Sequence, residues 1–164
     1  MSSVSAQIDI AATPERVWQA LMDFASYRDW HPFVEMEGTA VVGQTVGFVY
    51  RNDPQAATGM GSTALITRVE APHYFALEFG VKGLAMMEEW YALEKTAGGT
   101  SLTHGTNFRG VLPFLVVLFV RKLLVRKMAF PIQKLGRYLM PKRTKPKPNT
   151  FKNPRHRTHP LHRR

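Results

Sequence analysis

Four polar side chains, three of them suited to acid–base chemistry, fall in two neighbouring runs of alternating residues, which predict strands near 86–95 and 100–109. A hairpin centred on residues 96–99 places three pairs of side chains opposite one another: Leu93 with Leu102, Tyr91 with His104, and Glu89 with Thr106. Because side chains alternate along a strand, all of these point to one face of the sheet. Glu89 is then diagonal to His104, where its carboxylate can orient one tautomer of the imidazole.

This cluster of Glu89, Tyr91, His104 and Thr106 supports two interpretations. In the first, His104 and Glu89 are general acid and base groups, and Tyr91 donates a hydrogen bond to a ligand carbonyl or hydroxyl. In the second, Tyr91 and His104 are a structural cross-strand pair, and the carboxylate satisfies their polar atoms. A slip of one residue in the register would turn the whole cluster to the other face.

Other kinds of chemistry find little support in the composition. The 164 residues include no Cys, which excludes a thiolate nucleophile, disulfides and cysteine-based metal sites. The remaining histidines lie beside prolines or in a basic terminal segment: His31, His73, His156, His159 and His162. We find no spacing typical of a closed metal site, no glycine-rich phosphate loop and no nucleophile elbow. We therefore expect neither a metal nor a cofactor.

The periodicity of the chain predicts the elements that position the cluster. Residues 3–11 predict a strand, Thr13 and Pro14 begin a helix, and a second short helix surrounds residues 26–30. The predicted strands that follow lie near residues 33–40, 45–51, 60–71, 73–80, 86–95 and 100–109, and a four-residue loop, 96–99, joins the last two. Residues 113–139 return to a helical period, with Pro131 expected to kink the helix.

Two segments resemble a known superfamily. The run IDIAATPERVWQALMDFASYRDWHPF resembles the opening of SRPBCC proteins, which include START domains, birch-allergen-like proteins and polyketide cyclases, and it is most similar to the bacterial cyclase-like branch. The run GGTSLTHGTNFRGVLP, which leads into the long helix, is similar to the end of such domains. The resemblance implies an α+β helix-grip fold over residues 1–140, in which about seven antiparallel strands wrap around a long C-terminal helix.

The resemblance also implies a pocket between the sheet and the long helix. It implies binding of a small hydrophobic ligand, lipid-like or aromatic, with a cyclase or dehydratase acting on a polyketide-like substrate as the alternative. The residues expected to line this pocket are Phe75, Leu77, Phe79, Glu89, Tyr91, His104, Thr106, Phe108, Val117, Arg121, Leu124 and Met128. Two positions depart from the superfamily pattern, since relatives often carry His at position 89 and Glu at position 106.

Arg121 is an unusual feature of the predicted long helix. At 100° per residue it falls at the centre of an apolar face formed by Phe114, Val117, Leu118, Leu124, Val125 and Met128. An unpaired charge buried there would be costly. One hypothesis is that Arg121 binds the anionic head of a ligand at the pocket mouth; the other is that it reaches past the sheet edge or pairs with a carboxylate such as Glu89.

The charge of the chain is strongly segregated. The net charge is +10, yet all 12 Asp and Glu residues precede residue 111, and no acid interrupts the Lys and Arg residues of segment 111–164. Residues 141–164 combine this basicity with five prolines and predict a disordered tail. Leu115, Val116, Phe119, Leu123 and Phe130 lie among basic residues on the outer face of the helix.

This outer face predicts an interaction surface. An anionic membrane surface bound through residues 111–164 and a homodimer are both compatible with it. Nucleic acid is disfavoured because the body is acidic and the tail has one aromatic residue for stacking. The first residues lack the pattern of a secretory signal, so we expect a cytoplasmic protein, with peripheral attachment to the inner face of the membrane as an option.

Overall fold

The computed structural model describes residues 2–140, and for residues 111–120 it describes the backbone but not the side chains. The helices are α1 (Pro14–Met22), α2 (Tyr27–Trp30) and α3 (Val111–Leu139), with a 3-10 turn at Phe24–Ser26. The strands are β1 (Ser2–Ile10), β2 (Val34–Glu37), β3 (Thr45–Tyr50), β4 (Met60–Glu70), β5 (Tyr74–Val81), β6 (Ala85–Thr96) and β7 (Gly99–Arg109). The tail predicted over residues 141–164 lies outside the described residues.

The seven strands form one antiparallel sheet in the order β1-β7-β6-β5-β4-β3-β2. This arrangement, with the short helices after β1 and the long α3 at the end, confirms the helix-grip α+β fold. The predicted register between β6 and β7 is also confirmed, since Tyr91 is opposite His104 and Glu89 is opposite Thr106.

The loop between β6 and β7 is shorter than the sequence predicts. Thr96 and Gly99 form the last pair of the ladder, which leaves a turn of two residues, Ala97 and Gly98, instead of four. Gly99 has a φ of +138°, and a Cβ atom there would lie 2.2 Å from the carbonyl oxygen of Ile10. Only glycine permits this close approach, and it lets the hairpin extend by one further pair.

The start of α1 follows the predicted capping pattern. Thr13 is the N-cap, and its hydroxyl accepts a hydrogen bond of 3.4 Å from the backbone N–H of Arg16, with Pro14 in the first turn. The buried face of α1, formed by Val17, Ala20 and Leu21, packs with the aromatic residues that follow it. Phe24, Tyr27 and Trp30 are all buried in this core. The helical opening therefore closes one end of the space enclosed by the sheet.

Among the α3 side chains that the structure describes, residues 121–139, the apolar stripe is buried from Met128 onward. Met128, Ile132, Leu135 and Leu139 are buried against the sheet, where α3 packs chiefly on β1 and β7. Leu124 and Val125 are half-buried, and Arg121, one turn earlier, is exposed. Arg121 is therefore not buried among the apolar residues, which agrees with the hypothesis that its side chain reaches past the sheet edge, and none of the described carboxylates forms a salt bridge with it. Within residues 2–140, no helix has the length and apolarity required to cross a bilayer.

Two leucines of α3 provide a test of this packing. Leu135 is fully buried and Leu123 is 55% exposed. We expect Leu135→Ala to lower the free energy of unfolding by about 2–5 kcal/mol, because the lost contacts leave a cavity. Leu123→Ala should change it by no more than about 0.5 kcal/mol. Urea denaturation of both variants measures the difference, and equal effects would contradict the described position of α3.

Candidate functional site

A cavity of about 440 Å³ lies between the concave face of the sheet and α3. Its wall is predominantly apolar, with aromatic and methionine side chains contributed by α2, by every strand from β2 to β7 and by α3. The residues that surround it are Tyr27, His31, Phe33, Val34, Met36, Phe48, Tyr50, Met60, Ser62, Leu77, Phe79, Gly80, Met87, Glu89, Tyr91, His104, Thr106, Phe108, Leu124, Lys127, Met128 and Pro131. A cavity of this size and character is typical of sites for small molecules.

Most of the residues expected to line a pocket do surround this cavity: Leu77, Phe79, Glu89, Tyr91, His104, Thr106, Phe108, Leu124 and Met128. Phase along the strands accounts for this, since all the strand residues among them belong to the inward set. Arg121 is exposed and does not line the cavity, so its expected place at the pocket is wrong. Val117 lies among the residues whose side chains are not described.

Phe75 was also expected to line the pocket, and this expectation is wrong. The residue is fully buried and does not line the cavity. It is directly opposite Tyr91 in the sheet and stacks against that ring, with 6.2 Å between centroids. The ring of Phe24 packs against it, 6.0 Å away. The segment after α1 therefore covers Phe75, which is in the hydrophobic core beneath the helical opening.

His104 connects the sheet to α3 through both of its ring nitrogens. Its Nδ1 lies 3.2 Å from the backbone carbonyl oxygen of Met128, and its Nε2 lies 2.9 Å from Oε1 of Glu89. A carbonyl oxygen can only accept, so Nδ1 carries a proton. Nε2 and the carboxylate oxygen can then form a hydrogen bond only if one of these two atoms also carries a proton. His104 and Glu89 therefore share a single proton, which gives an imidazolium–carboxylate pair or two neutral groups.

The surroundings of Glu89 favour the charged form of this pair. Burial alone would raise the pKa of Glu89, but the hydrogen bond and positive charge of His104, with further contributions from His31 and Tyr91, bring the pKa below its usual value. Oε1 accepts hydrogen bonds from both His104 and the hydroxyl of Tyr91, each 2.9 Å long. Among the described residues no donor reaches Oε2. This oxygen remains able to accept a hydrogen bond from a ligand.

Tyr91 is held in place by stacking on both sides. Its ring lies 4.4 Å from that of His104, with 6° between the planes, and Phe75 stacks on its other side. Burial and the neighbouring charge of Glu89 raise the pKa of Tyr91 well above its ordinary value, so the hydroxyl keeps its proton. That proton is donated to Glu89. Tyr91 is therefore not the free donor to a ligand that the sequence suggested.

His31 lines the cavity, although its position before Pro32 suggested an uninformative loop. It ends α2, and its Nδ1 accepts hydrogen bonds from the backbone N–H groups of Phe33 and Val34, at 3.2 and 2.9 Å. The ring proton is therefore on Nε2. Burial lowers the pKa of His31 to about 3, while the charge of Glu89 raises it and that of His104 lowers it. His31 thus remains neutral, in contrast to the paired His104.

Lys127 and Tyr50 form a second polar group in the cavity wall, and sequence reasoning missed both. The Nζ atom of Lys127 donates to the hydroxyl of Tyr50 at 3.4 Å and lies 6.0 Å from the centroid of the Phe33 ring. Two signals were present in the sequence. Lys127 is three residues after Leu124 and four before Pro131, on the same side of the helix. Tyr50 alternates with Phe48 and Val46 along β3.

The family match and the solved structures agree with this geometry. The family described as polyketide cyclase/dehydrase and lipid transport matches residues 1–139. The chain belongs to this family. The family lies within the SRPBCC superfamily, so the resemblance seen in the sequence is confirmed. A comparison with the curated proteins gives no match.

Among residues 2–140, no group of three or more His, Asp or Glu side chains is placed to hold a metal ion.

Solved structures of similar fold come from several bacteria. Protein Ms6760 from Mycobacterium smegmatis is 17% identical with a TM-score of 0.68, covering 87% of this chain and 93% of its own. A protein from Rhodobacter sphaeroides is 20% identical with a TM-score of 0.67, and the match covers 84% of this chain and 91% of the Rhodobacter protein. Protein CV1439 from Chromobacterium violaceum is 13% identical with a TM-score of 0.65, covering 87% and 100%. At these identities the likeness establishes the fold alone.

The neutral state of His31 predicts a stability that depends on pH. An unfolded histidine titrates near pH 6.5, whereas the pKa of folded His31 is about 3. Between these values the unfolded chain binds a proton that the folded chain does not, so the free energy of unfolding falls as the pH falls. This group contributes a slope of up to about 1.4 kcal/mol per pH unit. Because the pKa of Glu89 is lowered as well, protonation of this carboxylate further decreases the free energy of unfolding at lower pH.

Urea denaturation between about pH 6.5 and 4.5 measures this slope. His31→Asn keeps an acceptor for the backbone N–H groups and does not titrate, so its slope should be shallower. His73→Asn changes an exposed histidine and should leave the slope as in the wild type. An unaltered slope in the His31 variant would show that this side chain is not held neutral.

Proposed function

We propose that the protein binds a small hydrophobic molecule, lipid-like or aromatic, in the cavity between the sheet and α3. The observation that carries the proposal is the apolar cavity of about 440 Å³, with few polar groups in its wall. Such a wall binds by removing apolar surface from water. The family and the fold support a hydrophobic-ligand domain or a cyclase in general.

The polar residues of the wall suggest how such a ligand is oriented. The pair of His104 and Glu89 leaves Oε2 of Glu89 without a donor among the described residues. A ligand hydroxyl or N–H group placed there would satisfy this acceptor, whereas a carbonyl would not. A polar point of this kind in an apolar wall fixes orientation more than it adds affinity.

The cyclase alternative is favoured by one observation, the shared proton beside the ligand space. In such a reaction Oε2 of Glu89 takes a proton from a carbon beside a ketone, that carbon bonds to a second carbonyl carbon of the same chain, and the proton returns to the new alkoxide oxygen. General catalysis of this kind contributes about 10²–10⁴-fold. A loss of about 100-fold in turnover with unchanged binding in His104→Ala would establish it over simple binding.

Adjacent leucines of α3 allow a direct test of the cavity. Leu124 lines it, and Leu123 is exposed beside it. We expect the uncharged aromatic probe N-phenyl-1-naphthylamine to bind the wild type with an affinity of about 1 μM. Leu124→Trp should weaken binding at least about 10-fold by filling the cavity, while Leu123→Trp should not. Fluorescence titration measures both. Equal affinities, or no binding by any apolar probe, would contradict the proposal.

We also propose that the protein operates at an anionic membrane surface. The exposed side of α3 carries Arg121, Lys122 and Arg126 beside the exposed Leu123, and the basic segment 141–164 follows. This combination of apolar and basic groups is complementary to acidic lipids, and each basic residue near the surface contributes on the order of 1 kcal/mol. With it we propose a cytoplasmic location and peripheral attachment to the inner face of the membrane.

Sedimentation with vesicles of acidic lipids tests the attachment. We expect the full chain to bind at low ionic strength and to be released by salt, because screening shortens the range of the attraction. Lys122→Glu with Arg126→Glu should weaken binding at least about 10-fold. Arg16→Glu with Arg28→Glu makes the same charge change at exposed positions of α1 and α2 and should have less effect. If both double variants weaken vesicle binding equally, the exposed side of α3 is not the membrane-binding surface. If the wild type is a dimer and Leu123→Ser makes it a monomer, this side of α3 is a subunit interface.

A further inference from the structure

Lys127 places a positive charge in the wall of the apolar cavity. The residues one turn before and after it, Leu124 and Pro131, line the same cavity, and the Lys127 side chain is half-buried between them. Its Nζ atom donates to Tyr50 and lies above the face of the Phe33 ring. The aromatic face and the hydroxyl hold the ammonium group at the cavity.

This charge has no carboxylate partner in the chain's own side chains. All 12 Asp and Glu residues precede residue 111 and so belong to the described part of the protein. None of them forms a salt bridge with Lys127. The carboxylate in the cavity wall, that of Glu89, is already paired with His104. A positive charge in the wall of an apolar cavity that has no counter-charge can pair with an anionic ligand.

The donors at this point suit a monoanion. Lys127 has three N–H groups and gives one to Tyr50, which leaves two for a ligand. Tyr50 accepts from Lys127 through its oxygen, so its own O–H remains able to donate to the same anion. One cation and one hydroxyl match a carboxylate, whereas a phosphate dianion calls for more positive charge.

We propose that the ligand is an amphipathic carboxylic acid, whose carboxylate binds Lys127 and Tyr50 while its apolar body occupies the cavity. This inference rests on the proposed function, since it specifies the class of molecule that the cavity accepts. It also assigns to Lys127 the role that the sequence suggested for Arg121. The difference is one of position, because Lys127 lines the cavity and Arg121 does not.

Matched acids and esters test the inference. Calorimetry at neutral pH compares dodecanoic acid with methyl dodecanoate, and 1-naphthoic acid with its methyl ester, so that lipid-like and aromatic bodies are both covered. We expect the wild type to bind at least one acid about 10-fold more tightly than its ester. Lys127→Met, which keeps the length of the side chain, should abolish this preference and leave ester binding unchanged. Tyr50→Phe should reduce the preference in part.

Lys122→Met is the control, since it removes the same charge from an exposed position of α3. It should retain the preference for the acid. Equal binding of acid and ester by the wild type, or an equal loss of both in Lys127→Met, would overturn the inference while leaving the cavity proposal intact. If neither the acids, the esters nor N-phenyl-1-naphthylamine bind, the proposed function itself fails and the inference fails with it.

Discussion

The proton on Nδ1 of His104 is the constraint on which the architecture of the site depends. It binds the backbone carbonyl of Met128 and so ties the sheet to α3 beside the cavity. Once Nδ1 is committed in this way, Nε2 must face Glu89, and the second proton completes an ion pair. Tyr91 then donates to the same carboxylate and stacks on the imidazole. Each group thus limits the protonation state of the next.

The sequence was sufficient to predict this cluster because the information is local. A short turn and strict alternation determine the register of a hairpin, and the register determines which side chains share a face. Tyr91, Glu89 and His104 could therefore be grouped without knowledge of the rest of the chain. The capped start at Thr13 and Pro14 was equally local, and these local patterns carried the resemblance that predicted the fold.

The remainder of the site depends on long-range packing that periodicity does not encode. Helical angles placed Arg121 on the apolar stripe, but among residues 121–139 of α3 the buried side chains begin only at Met128. Lys127, which the same angles place on the outer face, lines the cavity in its place. Phe75 has the correct phase but is covered by Phe24, which is distant in sequence. His31 is in the cavity because backbone N–H groups bind its Nδ1.

The electrostatics of the cavity favour recognition over catalysis. The partners of Glu89 lower its pKa, and a carboxylate that is stabilised in its charged form is a weaker base. His104 donates both of its ring protons to protein acceptors, and Tyr91 donates its own to Glu89, so none of the three presents a free acidic proton. What remains for a ligand is an acceptor at Glu89 and donors at Lys127 and Tyr50. Fixed polar points of opposite kind in an apolar wall can select and orient a molecule, whereas the free Oε2 of Glu89 belongs to a carboxylate whose lowered pKa makes it a weak base.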